Sequence, residues 1–124
     1  MRVVVITGSR YWTHQRPIQD AVQGADLVMH GCARGADQIA GMAAQYLQID
    51  ELVFRARWKP DGKAAGPRRN ERMAAWAAHL RDGGHDVRCY AFPLRESVGT
   101  VDCIARMRVH GILTTVFGES EGRS

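Results

Sequence analysis

Apolar residues along the chain fall into five short runs, separated by stretches in which they recur every three or four positions. The runs predict β-strands over residues 2–7, 26–30, 52–56, 86–92 and 112–117, each rich in Val, Ile, Leu or aromatic side chains and bounded by turn-forming residues. Between them, four stretches carry helical periodicity. Ile18, Ala21 and Val22 mark the first, with Pro17 tolerated in its opening turn. Ile39, Met42, Ala43, Tyr46 and Leu47 mark the second; Met73, Trp76, Ala77 and Leu80 the third; Val98, Val101, Ile104 and Ala105 the fourth. These stripes are expected to be the faces that enter the core. Strands alternating with helices are the sequence form of repeated βα units, so the fold class is α/β with a mainly parallel sheet covered on both sides.

One connection breaks the rhythm. Residues 57–66 carry no clear period, and a loop near ten residues in a compact domain is more often functional than accidental. The last residues, 118–124, are polar and glycine-containing and are expected to fray. The reading is one domain over 1–118 with a flexible tail over 119–124, which suits a chain of 124 residues with 45% hydrophobic content.

No apolar run approaches the ~20 residues needed to cross a bilayer, and Val3-Val4-Val5-Ile6 stops at Thr7-Gly8, too early for a signal core. A cytoplasmic protein with no membrane partner is expected. Cys32, Cys89 and Cys103 form no C-x-x-C pair, and the five histidines are scattered, so neither a disulfide framework nor a metal centre is expected. The net charge of +4 is concentrated. Residues 55–72 carry +5 and the remainder −1, which points to an anionic partner: a phosphorylated small molecule, a nucleic acid or a membrane surface.

In open parallel sheets ligands bind beyond the carboxyl ends of the strands. After the first strand stand Thr7, Gly8, Ser9 and Arg10: a glycine permitting close approach, hydroxyl donors and a forked cation. After the second comes His30-Gly31-Cys32-Ala33-Arg34-Gly35-Ala36-Asp37, opening a helix. Its small residues would leave backbone N–H groups open to phosphate, with Arg34 adding charge. Asp37 would either cap the helix or accept a ribose hydroxyl. The spacing is neither G-x-G-x-x-G nor a Walker loop. Trp58 follows the third strand as a surface on which a base can stack, and Arg69 and Asn70 can reach phosphate or ribose. Gly99 and Thr100 open the last helix after Phe92-Pro93, repeating glycine and hydroxyl at a helix start.

Taken in order, Ile6-Thr7-Gly8-Ser9-Arg10 with Trp12, the 30–37 segment, Trp58 with Ala65-Gly66-Pro67, Arg69-Asn70 and Met73, and Phe92-Pro93 with Gly99-Thr100 resemble the SLOG superfamily, specifically its small YspA-type, YpsA-related domains. The resemblance covers nearly the whole chain. It implies a Rossmann-like three-layer domain with sheet order 3-2-1-4-5, binding of nucleotides or of NAD- or ADP-ribose-like molecules, and a homodimer or larger homo-oligomer. The superfamily also contains the LOG phosphoribohydrolases and the DNA-binding DprA proteins. The LOG pattern P-G-G-x-G-T-x-x-E is not kept: Pro93 is followed by Leu94 and Arg95, and Cys103 stands at the glutamate position. Glu96 and Asp102 are candidate replacements, with Asp102 offset by one residue, ~100° around a helix.

Three functions follow. The first is a sensor of a nucleotide-derived small molecule, with no further cofactor required. The second is an N-glycosidic hydrolase with Arg69 on the phosphate and Asp37, Glu96 or Asp102 as the reacting carboxylate. The third is a nucleic-acid binder, which the single stacking ring Trp58 disfavours.

Overall fold

The computed structural model describes residues 1–95 and 97–118; the tail expected at 119–124 and the candidate carboxylate Glu96 lie outside the described residues. Five strands, β1 (Arg2–Gly8), β2 (Leu27–His30), β3 (Asp50–Val53), β4 (Asp86–Phe92) and β5 (Leu113–Val116), form one sheet in the order β3-β2-β1-β4-β5. Every neighbouring pair is parallel, with Val5 of β1 opposite Met29 on one side and Cys89 on the other. The expected class and strand order hold. The order reverses between β1 and β4, and the loops leaving these two strands diverge there.

The central strand is apolar on both faces because both are covered. Val4 and Ile6 enter a cluster with Trp12, Ile18, Val22, Val28, Ala40, Ala44 and Phe92, under α1 (Arg16–Val22) and α2 (Ala36–Tyr46). Val3 and Val5 enter the opposite cluster with Met29, Met73, Ala77, Cys89, Cys103 and Met107, under α4 (Ala65–Asp82) and α5 (Val98–Val109). Each such fully buried aliphatic side chain contributes roughly 1.5–3 kcal/mol by leaving water. Trp12 packs edge-on against Phe92, with ring centroids 5.2 Å apart, and its indole N–H donates to the His14 carbonyl at 2.7 Å.

Several expectations are corrected. β3 begins two residues early, at Asp50, because it is an edge strand whose polar positions need not be buried. The connection at 57–66 is mostly helical: α3 (Trp58–Asp61), a 3₁₀ turn (Gly62–Ala64) and the start of α4 at Ala65. The apolar stripe expected at the start of α5 does not face the core, and that expected on α2 does so only through Ala43 and, in part, Ile39. α2 buries Ala36, Ala40, Gly41, Ala43 and Ala44 and leaves Met42 and Tyr46 exposed. α5 buries Thr100, Cys103 and Met107, while Val98 and Val101 are exposed; on α4, Trp76 is half-exposed. Small residues let a helix approach the sheet closely, and that close approach decides the inward face. Among the described residues, no helix is long and apolar enough to cross a membrane.

Candidate functional site

The carboxyl ends of the strands frame a cleft of about 960 Å³, within the range typical of small-molecule sites. Five cations line it: Arg10 after β1, Arg55 and Lys63 after β3, Arg69 in the first turns of α4, and Arg95 after β4. Among the described residues, two carboxylates face them from the lining, Asp37 and Asp102. Trp58 stands on the rim with 62% of its surface exposed. The basic segment is thereby divided. Arg55, Lys63 and Arg69 turn into the cleft, Arg68 pairs with Asp61 at 2.8 Å, and Arg72 donates to the Arg55 carbonyl.

The 30–37 loop is organised differently from the sequence expectation. Asp37 Oδ2 accepts the N–H groups of Gly31 at 3.1 Å and Ala33 at 3.3 Å. The N–H of Cys32 donates to His30 Nδ1, and that of Ala36 to the Ser9 carbonyl. These donors, expected to receive phosphate, are engaged within the protein. Arg34 is exposed and, like Gly35, does not line the cleft. Gly35 has another role: its φ is +70°, and a β-carbon there would collide with the Ser9 carbonyl oxygen. Gly8 likewise serves packing, since a β-carbon would lie 2.5 Å from Cβ of Ala36. His30 is a satisfied core histidine, buried and bonded through Nε2 to Glu51 at 2.9 Å. The Ser9 hydroxyl accepts the Tyr11 N–H at 3.1 Å and closes its own turn.

Asp37 itself is 5% exposed, and its Oδ1 has no hydrogen-bond partner among the described residues. Burial pushes its carboxyl up to about 6, outweighing His30, Arg69 and the two backbone donors. Asp37 thus caps the preceding loop rather than the helix it opens.

Across the cleft, Arg69 is held at two points. Its Nη1 donates to the Gly31 carbonyl at 2.6 Å and its Nε to Asn70 Oδ1 at 2.8 Å. Gly31 must be small here: a β-carbon would lie 2.5 Å from Nη1 of Arg69. Asn70 is 2% exposed and donates Nδ2 to the Gly99 carbonyl at 3.1 Å and to Asp102 Oδ2 at 3.0 Å. Asp102 also receives Arg106 Nε at 2.9 Å. Desolvation alone would raise its carboxyl, but the hydrogen bonds from Arg106 and Asn70 prevail and lower it, so it stays an anion. That does not suit an acid. Cys103 is a buried thiol pushed up to about 11 and replaces no carboxylate function.

The start of α5 is the opening that remains. Among the described residues no side chain caps it: the Ser97 hydroxyl instead accepts the Leu94 N–H at 2.9 Å. Ser97, Val98, Gly99 and Thr100 all line the cleft, and Gly99 has open space where a side chain would stand. Uncapped first-turn N–H groups and the positive end of a twelve-residue helix favour an anion there. Of the residues singled out from sequence, Gly8, Ser9, Arg10, Gly31, Ala33, Asp37, Trp58, Arg69, Asn70, Gly99 and Thr100 do come together around this one cleft. Sequence reasoning did not name Tyr11, Arg55, Lys63 and Arg95 as lining residues; the charge count over 55–72 held the signal for two of them.

The fold and site define a Rossmann-like α/β protein with a cleft at the carboxyl ends of its parallel strands. Its architecture matches that of DNA processing protein A (DprA) from Streptococcus pneumoniae, with a TM-score of 0.55 and 16% sequence identity over 96% of this chain. The chain spans 60% of that solved chain. More particularly, it is 39% identical over 133 residues to the Gene 61 protein of Mycobacterium phage D29, covering 96% of this chain and 98% of that protein, and it belongs to that protein's family. No protein-family model matches it.

Proposed function

We propose that the cleft binds a nucleotide-derived small molecule, of the ADP-ribose, NAD or nucleoside-phosphate kind, and that the protein acts as a sensor or signalling module of the YspA type. The observation that carries this reading is the convergence of five cations, the uncapped start of α5 and the Trp58 ring on one concave site at the sheet's switch point. The phosphate lies between Arg69 and the α5 N-terminus, and the base stacks on Trp58. A cleft with one stacking ring suits a small ligand better than a polymer, although the solved protein of similar fold is named for DNA processing. The expected partner is therefore the nucleotide ligand, with no cofactor beyond it, in a cytoplasmic homodimer or larger homo-oligomer.

One observation favours a second reading, hydrolysis of a nucleotide N-glycosidic bond: the Asp37 carboxyl, raised to about 6, is poised for proton transfer near neutral pH. Both readings meet one experiment. Thermal-shift screening against AMP, ADP, ADP-ribose and NAD, with Arg69→Ala as control, is followed by chromatography of each hit. Stabilisation by a ligand recovered intact, and lost in the variant, supports the sensor; release of free base supports the hydrolase. No shift with any of the four overturns the proposal.

A further inference from the structure

Six polar side chains run in an unbroken series from the cleft across the α4–α5 interface. Arg69 Nε meets Asn70 Oδ1 at 2.8 Å, and Asn70 Nδ2 meets Asp102 Oδ2 at 3.0 Å. Asp102 Oδ2 receives Arg106 Nε at 2.9 Å. Arg106 Nη1 reaches Glu71 Oε1 at 3.4 Å, and Glu71 Oε2 meets His110 Nε2 at 2.8 Å. The contacts fix the orientation of the buried Asn70 amide. Its NH₂ faces two acceptors, Asp102 and the Gly99 carbonyl, so its oxygen faces Arg69.

We propose that Asn70 and Asp102 are positioning residues, which hold the Arg69 guanidinium aimed at the anionic group of the cleft's ligand. The inference rests on the anion-binding reading above. Asp102 acts through Asn70: without its carboxylate the amide loses one of two acceptors and can turn its NH₂ toward Arg69, setting donor against donor. Arg69 then keeps only the Gly31 carbonyl as anchor, and a long side chain held at one point samples more rotamers than one held at two. Arg106, with Glu71 and His110 behind it, keeps Asp102 ionised and in place.

The sign of the effect separates this role from simple electrostatics. Removing a carboxylate from the lining of a cleft should tighten anion binding by Coulomb's law. A positioning role predicts the reverse. Pyrophosphate and ADP are titrated calorimetrically into wild type, Asp102→Ala, Asp102→Asn, Arg69→Ala and the Asp102→Ala/Arg69→Ala double variant. Asp102→Ala is expected to weaken both probes roughly ten-fold, the worth of one well-placed charge-assisted hydrogen bond. Asp102→Asn, whose amide oxygen still accepts from Asn70, should recover most of that loss. In the Arg69→Ala background Asp102→Ala should have no further effect, because the two residues act as one unit. Should Asp102→Ala not fold, Asp102→Ser, which keeps a hydroxyl toward Arg106, carries the same expectation.

Equal or tighter binding in Asp102→Ala overturns the proposal, as does a loss that persists undiminished without Arg69. A wild-type protein that binds neither probe overturns the anion-binding reading itself, and the proposal with it.

Discussion

Replacing Asp37 by Asn should stabilise the protein near neutral pH relative to acid, although the residue makes two backbone hydrogen bonds. Asp37 is buried, its Oδ1 has no partner among the described residues, and its carboxyl rises from 3.8 to about 6 on folding. The folded state therefore binds more protons than the unfolded chain between these values, and stability falls as pH rises through that window. Above pH 7 the accumulated cost is about 3 kcal/mol, from 1.36 kcal/mol per unit. This is a substantial part of the roughly 5–15 kcal/mol available to a domain. Asn keeps the shape and an oxygen for the Gly31 and Ala33 N–H groups but carries no charge to desolvate. Its amide NH₂, facing where Oδ1 stood, adds a roughly pH-independent cost of about 1–3 kcal/mol. The stability difference between variant and wild type should thus move by about 2.4 kcal/mol in favour of Asn between pH 4 and pH 7.5, since part of the cost is already present at pH 4. Urea denaturation followed by fluorescence of the buried Trp12 measures it at each pH. A difference that stays constant across the range would refute the reasoning.

Further substitutions separate folding from the site. Gly31→Ala places a β-carbon against the guanidinium of Arg69; since a flexible side chain can move aside, the melting temperature should change little while ADP affinity drops roughly ten-fold in calorimetry. Gly35→Ala should do the opposite and cost more than about 1 kcal/mol in urea denaturation, because the residue sits at φ +70° against the Ser9 carbonyl. Arg34→Ala, exposed and outside the cleft lining, should leave ligand affinity within a factor of about two by the same titration, as expected of a screened surface charge. Trp58→Ala should weaken ADP-ribose binding by roughly 1–3 kcal/mol, the worth of one stacked base, with little change in melting temperature for a residue 62% exposed.

The alternation of apolar runs with helical stretches was enough to read the class, and β4 was placed to the residue. The strand order came from resemblance. Helix faces were read less well, for a physical reason: period analysis favours large side chains, whereas α2 meets the sheet through Ala36, Ala40, Gly41 and Ala44, whose small size is what lets it sit close. The site was legible as a set of strand ends, because parallel topology brings them together whatever their detail. What each residue does there was not. That Asp37 would cap Gly31 and Ala33 depends on how the 30–37 loop folds back on the start of α2, and that Asn70 would meet Asp102 thirty-two residues away depends on contacts formed only when α4 and α5 pack side by side. Arg34 shows the converse: a cation in the most glycine-rich motif that the loop's own hydrogen bonding turns outward.

The molecule has a second concavity, an apolar groove of about 340 Å³ between α1 and α2, lined by Gln19, Ile39, Met42 and Tyr46 and by no cation. Amide chemical-shift mapping by ¹⁵N NMR during titration with ADP-ribose tests the central claim most directly, because it reports where a ligand sits without presuming the cleft. The account predicts shifts concentrated at Gly31, Arg69, Asn70, Gly99 and Thr100 and at the indole N–H of Trp58. Shifts confined to the α1–α2 groove, or none at saturating ligand, would contradict it.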